Sequence, residues 1–154
     1  MNFSSFADLE TPVYEEPRFP VEAPDGRKDL SEHERQSWFV AYMRRTQPHI
    51  EVHANMNHGR RSQTRAKREG MKAGVFDVTV AWDYRLTPGA PVSVAWVEFK
   101  GYETASKRPG KLQPSQIDWG NAMLDKGFAV ACFFSAKSCI EWLRKIGCPL
   151  RGTA

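Results

Sequence analysis

The chain has no long hydrophobic run, little cysteine and no cysteine pair at metal-binding spacing. No apolar stretch approaches the roughly 18–20 residues that a membrane-spanning helix needs, and the opening residues carry no secretory pattern. Cys132, Cys139 and Cys148 are odd in number and lack Cys-x-x-Cys spacing, which argues against a disulfide framework and against a metal–thiolate site. Cys132 lies in an apolar run, so buried thiols in a reducing compartment are expected. Acidic residues are scarce beyond the first thirty positions. The chain has 22 Lys and Arg against 18 Asp and Glu, and residues 1–30 hold seven of the acids with three basic residues. That leaves 19 basic and 11 acidic residues in 31–154, a net of +8. A basic body points to a polyanionic partner rather than to any particular fold.

At 154 residues the chain suits one domain with a core of its own. Residues 75–100 organise it. Val-Phe-Asp-Val-Thr-Val-Ala-Trp and Val-Ala-Trp-Val-Glu-Phe-Lys are two runs rich in β-branched and aromatic residues, separated by Pro88, Gly89 and Pro91. They predict neighbouring strands. Side chains alternate along a strand, so Phe76, Val78, Val80 and Trp82 are expected on one side and Asp77 on the other. Glu98 and Lys100 share a face with Trp96. Three charges inside two strands otherwise fit for burial must be paired or metal-bound, because an isolated buried charge is costly. A simple Glu98–Lys100 ion pair along one strand face would satisfy that rule. Two carboxylates and an ammonium converging at a sheet edge would equally suit a hard divalent cation with oxygen ligands.

Residues 1–30 carry Pro12, Pro17, Pro20 and Pro24 without sustained periodicity, and predict an extended acidic arm, disordered or laid along a partner. Ser31 and Glu34 form a capping box that opens a helix running through Trp38–Met43. The box gives Glu34 a structural task. Glu32 has two open readings: an inward-facing acid, or a carboxylate favoured by the helix dipole. Residues 50–54 suit a short strand. His53 and His58 have no third ligand spaced to complete a metal site. Arg60, Arg61, Arg65, Lys67, Arg68 and Lys72 form a basic run with only Glu69 opposing, and in a helix Arg61, Arg65, Arg68 and Lys72 would fall on one stripe. Without acids to balance it, this stripe predicts contact with a phosphate backbone. Residues 101–111 look polar and flexible. Gln113-Pro114 starts a helix with Gln116 in its first turn, Phe128–Phe134 suits a strand buried on both faces, and Ser135 caps a last helix. Helix, strands, helix and strand in that order predict an α/β domain.

These pieces, taken together, resemble a known family. Ser31-Glu-His-Glu-x-Gln36, Asn57-His-Gly-Arg-Arg61, Lys72-Ala-Gly-Val-Phe-Asp77, Glu98-Phe-Lys100 and Pro114-Ser-Gln116-x-x-Trp119 resemble, in order and spacing, the VRR-NUC (virus-type replication–repair nuclease) branch of the PD-(D/E)XK nucleases. The resemblance covers about 31–147. It implies a restriction-endonuclease-like core, a mixed central sheet flanked by helices, and metal-dependent phosphodiester hydrolysis. It also implies Asp77 and Glu98 as metal ligands, Lys100 as the catalytic lysine, Glu32 as the first-helix acid and Gln116 as the glutamine beyond the catalytic strand. The standalone phage and bacterial members imply a homodimer that cuts DNA, branched or forked DNA included, with Mg²⁺ or Mn²⁺, in bacterial or phage-infected cytoplasm. Two features depart from the family: Phe76 replaces its usual proline, and the 101–111 stretch is longer than usual. The alternative reading is a nucleic-acid-binding module that keeps the fold without the activity. A third is an interaction protein whose acidic arm mimics DNA or blocks the basic face.

Overall fold

The computed structural model describes residues 15–55 and 68–152. Its elements are α1 (Glu32–Thr46), β1 (Glu51–Ala54), β2 (Val78–Ala81), a 3₁₀ turn (Tyr84–Leu86), β3 (Val94–Phe99), α2 (Pro114–Asp125), β4 (Ala129–Phe133) and α3 (Ala136–Lys145). The strands form one mixed sheet in the order β1-β2-β3-β4. The first two pairs are antiparallel, and β3 runs parallel to β4 across the α2 crossover. This is the expected α/β class with helices flanking a mixed sheet. Among the described residues no helix is long and apolar enough to cross a membrane.

The helix boundaries follow local chemistry. Glu34 N–H donates to Ser31 Oγ at 3.2 Å, and Ser31 N–H donates to the Glu34 carboxylate at 2.9 Å, so the capping box is closed. Two amides that a helix start leaves unpaired are thereby satisfied. Pro114 occupies the first turn of α2, where its missing N–H costs nothing. Ser135 caps α3 by accepting from Ser138 N–H at 3.3 Å.

Strand alternation divides the interior into two layers. On one side Val78, Val80, Ala95, Val97, Phe99, Ala131 and Phe133 pack with Phe39 and Met43 of α1 and Cys139 and Leu143 of α3. On the other, Val130 and Cys132 pack with Phe19 and Phe76, against Trp96 and the α2 residues Trp119, Met123 and Leu124. β4 is buried along its whole length, as a strand between two layers should be. Phe76 is a correction to the simple alternation. It was expected beside Val78 and Val80, but it lies in the α2 layer, 5.1 Å from the Trp119 ring and 5.4 Å from Phe19. The reason is that β2 begins only at Val78. The chain bends at Asp77, so the period-two rule does not reach back to Phe76.

Residues 15–25 contain no helix, residues 26–30 turn toward α1, and the segment lies along the chain's own body. Cys132 N–H donates to Pro20 O and Glu22 N–H to Cys132 O, both at 2.9 Å, which adds a parallel bridge beside β4. Phe19 is buried in the core, and the Glu22 carboxylate accepts from Phe134 and Ser135 N–H at 3.0 and 2.8 Å. Asp25 pairs with the buried Arg35 guanidinium at 2.7 Å. The strap covers what would otherwise be an open sheet edge.

Candidate active site

Antiparallel pairing of β2 with β3 sets Val78 opposite Val97 and Thr79 opposite Trp96. One step further along the same register, Asp77 meets Glu98, and its N–H donates to Glu98 Oε2 at 3.0 Å. Asp77 and Glu98 therefore sit on one face, the α2 face, where Lys100 also emerges as β3 ends. Glu32 comes from a different direction. The start of α1 abuts Gly101, where an added Cβ would stand 2.2 Å from Glu32 N, so only glycine permits the approach. This contact places the first residue of α1 at the end of β3. One carboxylate oxygen from each of Glu32, Asp77 and Glu98 then lies within 4.8 Å of the other two. Of the two open readings of Glu32, the structure has it facing inward, while Glu34 is occupied by the cap.

Glu98 is the centre of a fixed network. Its Oε1 accepts from Gln116 Nε2 at 2.8 Å and stands 3.4 Å from Lys100 Nζ. Gln116 Oε1 accepts from Lys100 Nζ at 3.1 Å and from Gln113 N–H at 2.8 Å. Gln116 thus bridges acid and lysine, and α2 holds it there because it also caps the helix it belongs to. The simple Glu98–Lys100 ion pair is present, but it is one edge of a larger constellation. Glu32 and Lys100 line a cleft of about 730 Å³ that opens toward residues 101–111.

The cluster is electrostatically uncomfortable as it stands. Glu98 is only 1% exposed, and burial, reinforced by the charges of Asp77 and Glu32, pushes its carboxyl up to about 8 despite the opposing pull of Lys100. Glu32 is raised for the same first reason, burial, with Lys100 opposing and Asp77 adding to it. Three carboxylates sharing one lysine leave a deficit of positive charge. All the candidate ligands are hard oxygen donors, the set preferred by small divalent cations.

Arg60, Arg61 and Arg65 of the expected basic stripe lie outside the described residues, as does His58. Arg68 and Lys72 are exposed. His53 pairs with Glu51 at 3.1 Å on the outer strand and is not part of the Glu32–Asp77–Glu98 cluster. The three cysteines are free and buried, Cys132 directly opposite Glu98 in the β3–β4 register.

No family model, curated protein or solved structure matches this chain. Its chemistry is read from its own residues.

Two positioning residues carry no obvious sequence signal. Asn55, just past β1, donates from Nδ2 to Phe76 O at 2.9 Å, and its N–H donates to Asp77 O at 2.6 Å. It clamps the bend that aims Asp77. Gly74, with φ +90°, passes so near α2 that a Cβ would stand 2.1 Å from Ser115 O. Asparagine after a strand and glycine in a turn are common for many reasons, so residue type alone does not mark either position.

Proposed function

We propose that the chain is a Mg²⁺- or Mn²⁺-dependent DNA endonuclease of the PD-(D/E)XK kind, hydrolysing phosphodiester bonds in DNA that includes branched or forked forms. One observation carries this reading: three carboxylates from three separate stretches of chain converge within 4.8 Å beside a lysine and an open cleft. A bound divalent cation would polarise a phosphoryl oxygen and lower the pKa of water at the site. Asp77 and Glu98 would hold it, with Glu32 supplying a third carboxylate. The donor chemistry fits, since a cation would supply the positive charge that this buried cluster lacks, where burial first and the neighbouring Asp77 and Glu32 carboxylates second raise the Glu98 pKa.

Lys100 has the placement expected of a group that orients the attacking water and offsets charge gathering on the phosphate. Its ammonium is nearly buried and tied to Gln116, so little reorganisation is needed when a substrate arrives. Gln116 fixes both partners at once. Arg60, Arg61, Arg65, Arg68 and Lys72 would hold the substrate backbone. Action as a homodimer, in cytoplasm where the three thiols stay reduced, belongs to the same proposal.

The test is cleavage of linear, supercoiled and branched DNA with Mg²⁺, with Mn²⁺ and with EDTA, comparing wild type with Asp77→Ala and Lys100→Ala. Metal-dependent cutting that both variants lose supports the reading. Equal cutting by wild type and variants would mean a contaminant is responsible and would end the assignment.

A further inference from the structure

Residues 101–111, which look flexible in sequence, form an ordered hairpin. Tyr102 bridges Pro109, Glu103 N–H donates to Arg108 O at 2.9 Å, and Gly110 N–H donates to Gly101 O at 2.8 Å. The tip closes through Lys107 N–H to Glu103 O at 3.0 Å, with Lys107 in the left-handed region at φ 56°. A non-glycine residue adopts that conformation only where its surroundings enforce it.

The base of the hairpin is joined to the catalytic elements. Tyr102 N–H donates to Leu30 O at 3.2 Å, its hydroxyl accepts from Gly26 N–H at 2.8 Å, and its ring packs 5.8 Å from Phe134. Gly101 touches the start of α1, and Gly110 lies within ordinary packing distance of the Lys100 stem. The base of the hairpin is thereby anchored beside Glu32 and Lys100. It forms the far wall of their cleft, to which Arg108 and Lys111 both contribute.

Its charge is one-sided. Lys107, Arg108 and Lys111 are exposed, and none has a carboxylate partner among the described residues. The hairpin's only acid, Glu103, accepts from Ser106 Oγ at 2.5 Å. Cations held on a rigid support and left unpaired at the mouth of a site are suited to a polyanion, since little ordering entropy is lost on contact.

We infer that this hairpin is a backbone clamp: Arg108 and Lys111 grip phosphates of the same DNA strand that enters the Glu32–Lys100 cleft, independently of base sequence. The inference rests on the nuclease reading for its choice of polyanion. It assigns the strand's path past the acids to a segment separate from the basic run at 60–72.

The experiment measures binding of a labelled DNA duplex in Ca²⁺ buffer across a salt series, alongside cleavage in Mg²⁺. Variants are Arg108→Ala, Lys111→Ala, the double variant, Arg108→Lys, and Lys126→Ala at the opposite end of α2 as a control for simple loss of charge. Each alanine in the hairpin is expected to lower the slope of log affinity against log salt by about 1, and the double variant by about 2. Arg108→Lys should restore most of the slope, and Lys126→Ala should leave it near wild type. In cleavage the loss should fall on KM, with kcat kept within about twofold. A double variant that binds and cuts like wild type, or a Lys126→Ala slope that falls as far, overturns the clamp and leaves the nuclease reading intact. Hairpin-dependent binding with no cleavage under any divalent cation keeps the clamp and overturns the nuclease. A wild type that does not bind DNA removes both.

Discussion

Replacing Asp77 with asparagine should stabilise the metal-free protein while removing its response to metal. The substitution keeps the shape and leaves the backbone bonds to Glu98 and Asn55 in place, because both use main-chain atoms of Asp77. What it removes is one of three carboxylates whose oxygens lie within 4.8 Å of one another. Two full charges at that distance repel by about 3 kcal/mol at an effective dielectric constant of about 20. Lys100 and partial protonation of Glu98 offset part of this, so a gain of about 1–2 kcal/mol is expected in EDTA. For a chain of this size that raises Tm by roughly 3–6 °C. The pH dependence fixes the sign. Glu98 has a folded pKa of about 8 against an ordinary 4.5, so its contribution is fully present below about 4.5 and is lost as pH rises toward 8. The gain from Asp77→Asn should therefore be larger at pH 8 than at pH 5. Thermal melts with EDTA and with Mg²⁺ or Mn²⁺ measure all of this. Wild type should gain stability from the cation and the variant little. A variant less stable than wild type in EDTA, yet equally raised by Mn²⁺, would refute the electrostatic account of the cluster.

Other outcomes follow from the same contacts. Gln116→Leu should leave Lys100 and Glu98 without their shared amide and lower the cleavage rate about 10–100-fold with the fold retained, checked by circular dichroism beside the kinetics. Gly101→Ala forces a Cβ against the α1 backbone and should cost about 1–3 kcal/mol in chemical denaturation, with a loss of cleavage because Glu32 is displaced. Phe19→Ala should destabilise by about 3–4 kcal/mol, measured the same way, because the strap residue is buried in the core. Arg35 holds the Asp25 carboxyl below its ordinary 3.8, so that pair stabilises above pH 3.8 and is lost as pH falls below it. Asp25→Asn should cost about 2 kcal/mol at pH 7 and progressively less in acid melts.

Much of the fold was legible because local rules and long-range packing agree. Ser31 with Glu34, Gln113 with Pro114, and Ser135 mark helix starts whose hydrogen bonds are made within a turn, so neighbours in sequence suffice to read them. Alternation placed Asp77, Glu98 and Lys100 together because β2 and β3 are adjacent antiparallel strands. The same rule misplaced Phe76, since the strand had not yet begun there. Glu32 stayed ambiguous because its position depends on Gly101, some seventy residues away in sequence. The hairpin looked flexible from its Gly, Ser, Thr and Lys content, and its order comes from Tyr102 packing on Leu30, Gly26 and Phe134. The strap is the clearest limit. One phenylalanine among prolines has no periodicity to announce that it belongs to the core.

The strap also bears on the order of events during synthesis. Residues 20–22 leave the ribosome early but pair with Cys132, and Glu22 binds amides 112 and 113 residues further on. Such distant partners meet late. Leu30, Gly26 and Arg35 await their own partners in Tyr102 and Phe134, so the start of α1 settles fully only when most of the polypeptide has emerged. A nascent chain that stops short of residue 101 would have Asp77 but not a seated Glu32, so the three carboxylates can gather only after that stretch has been made.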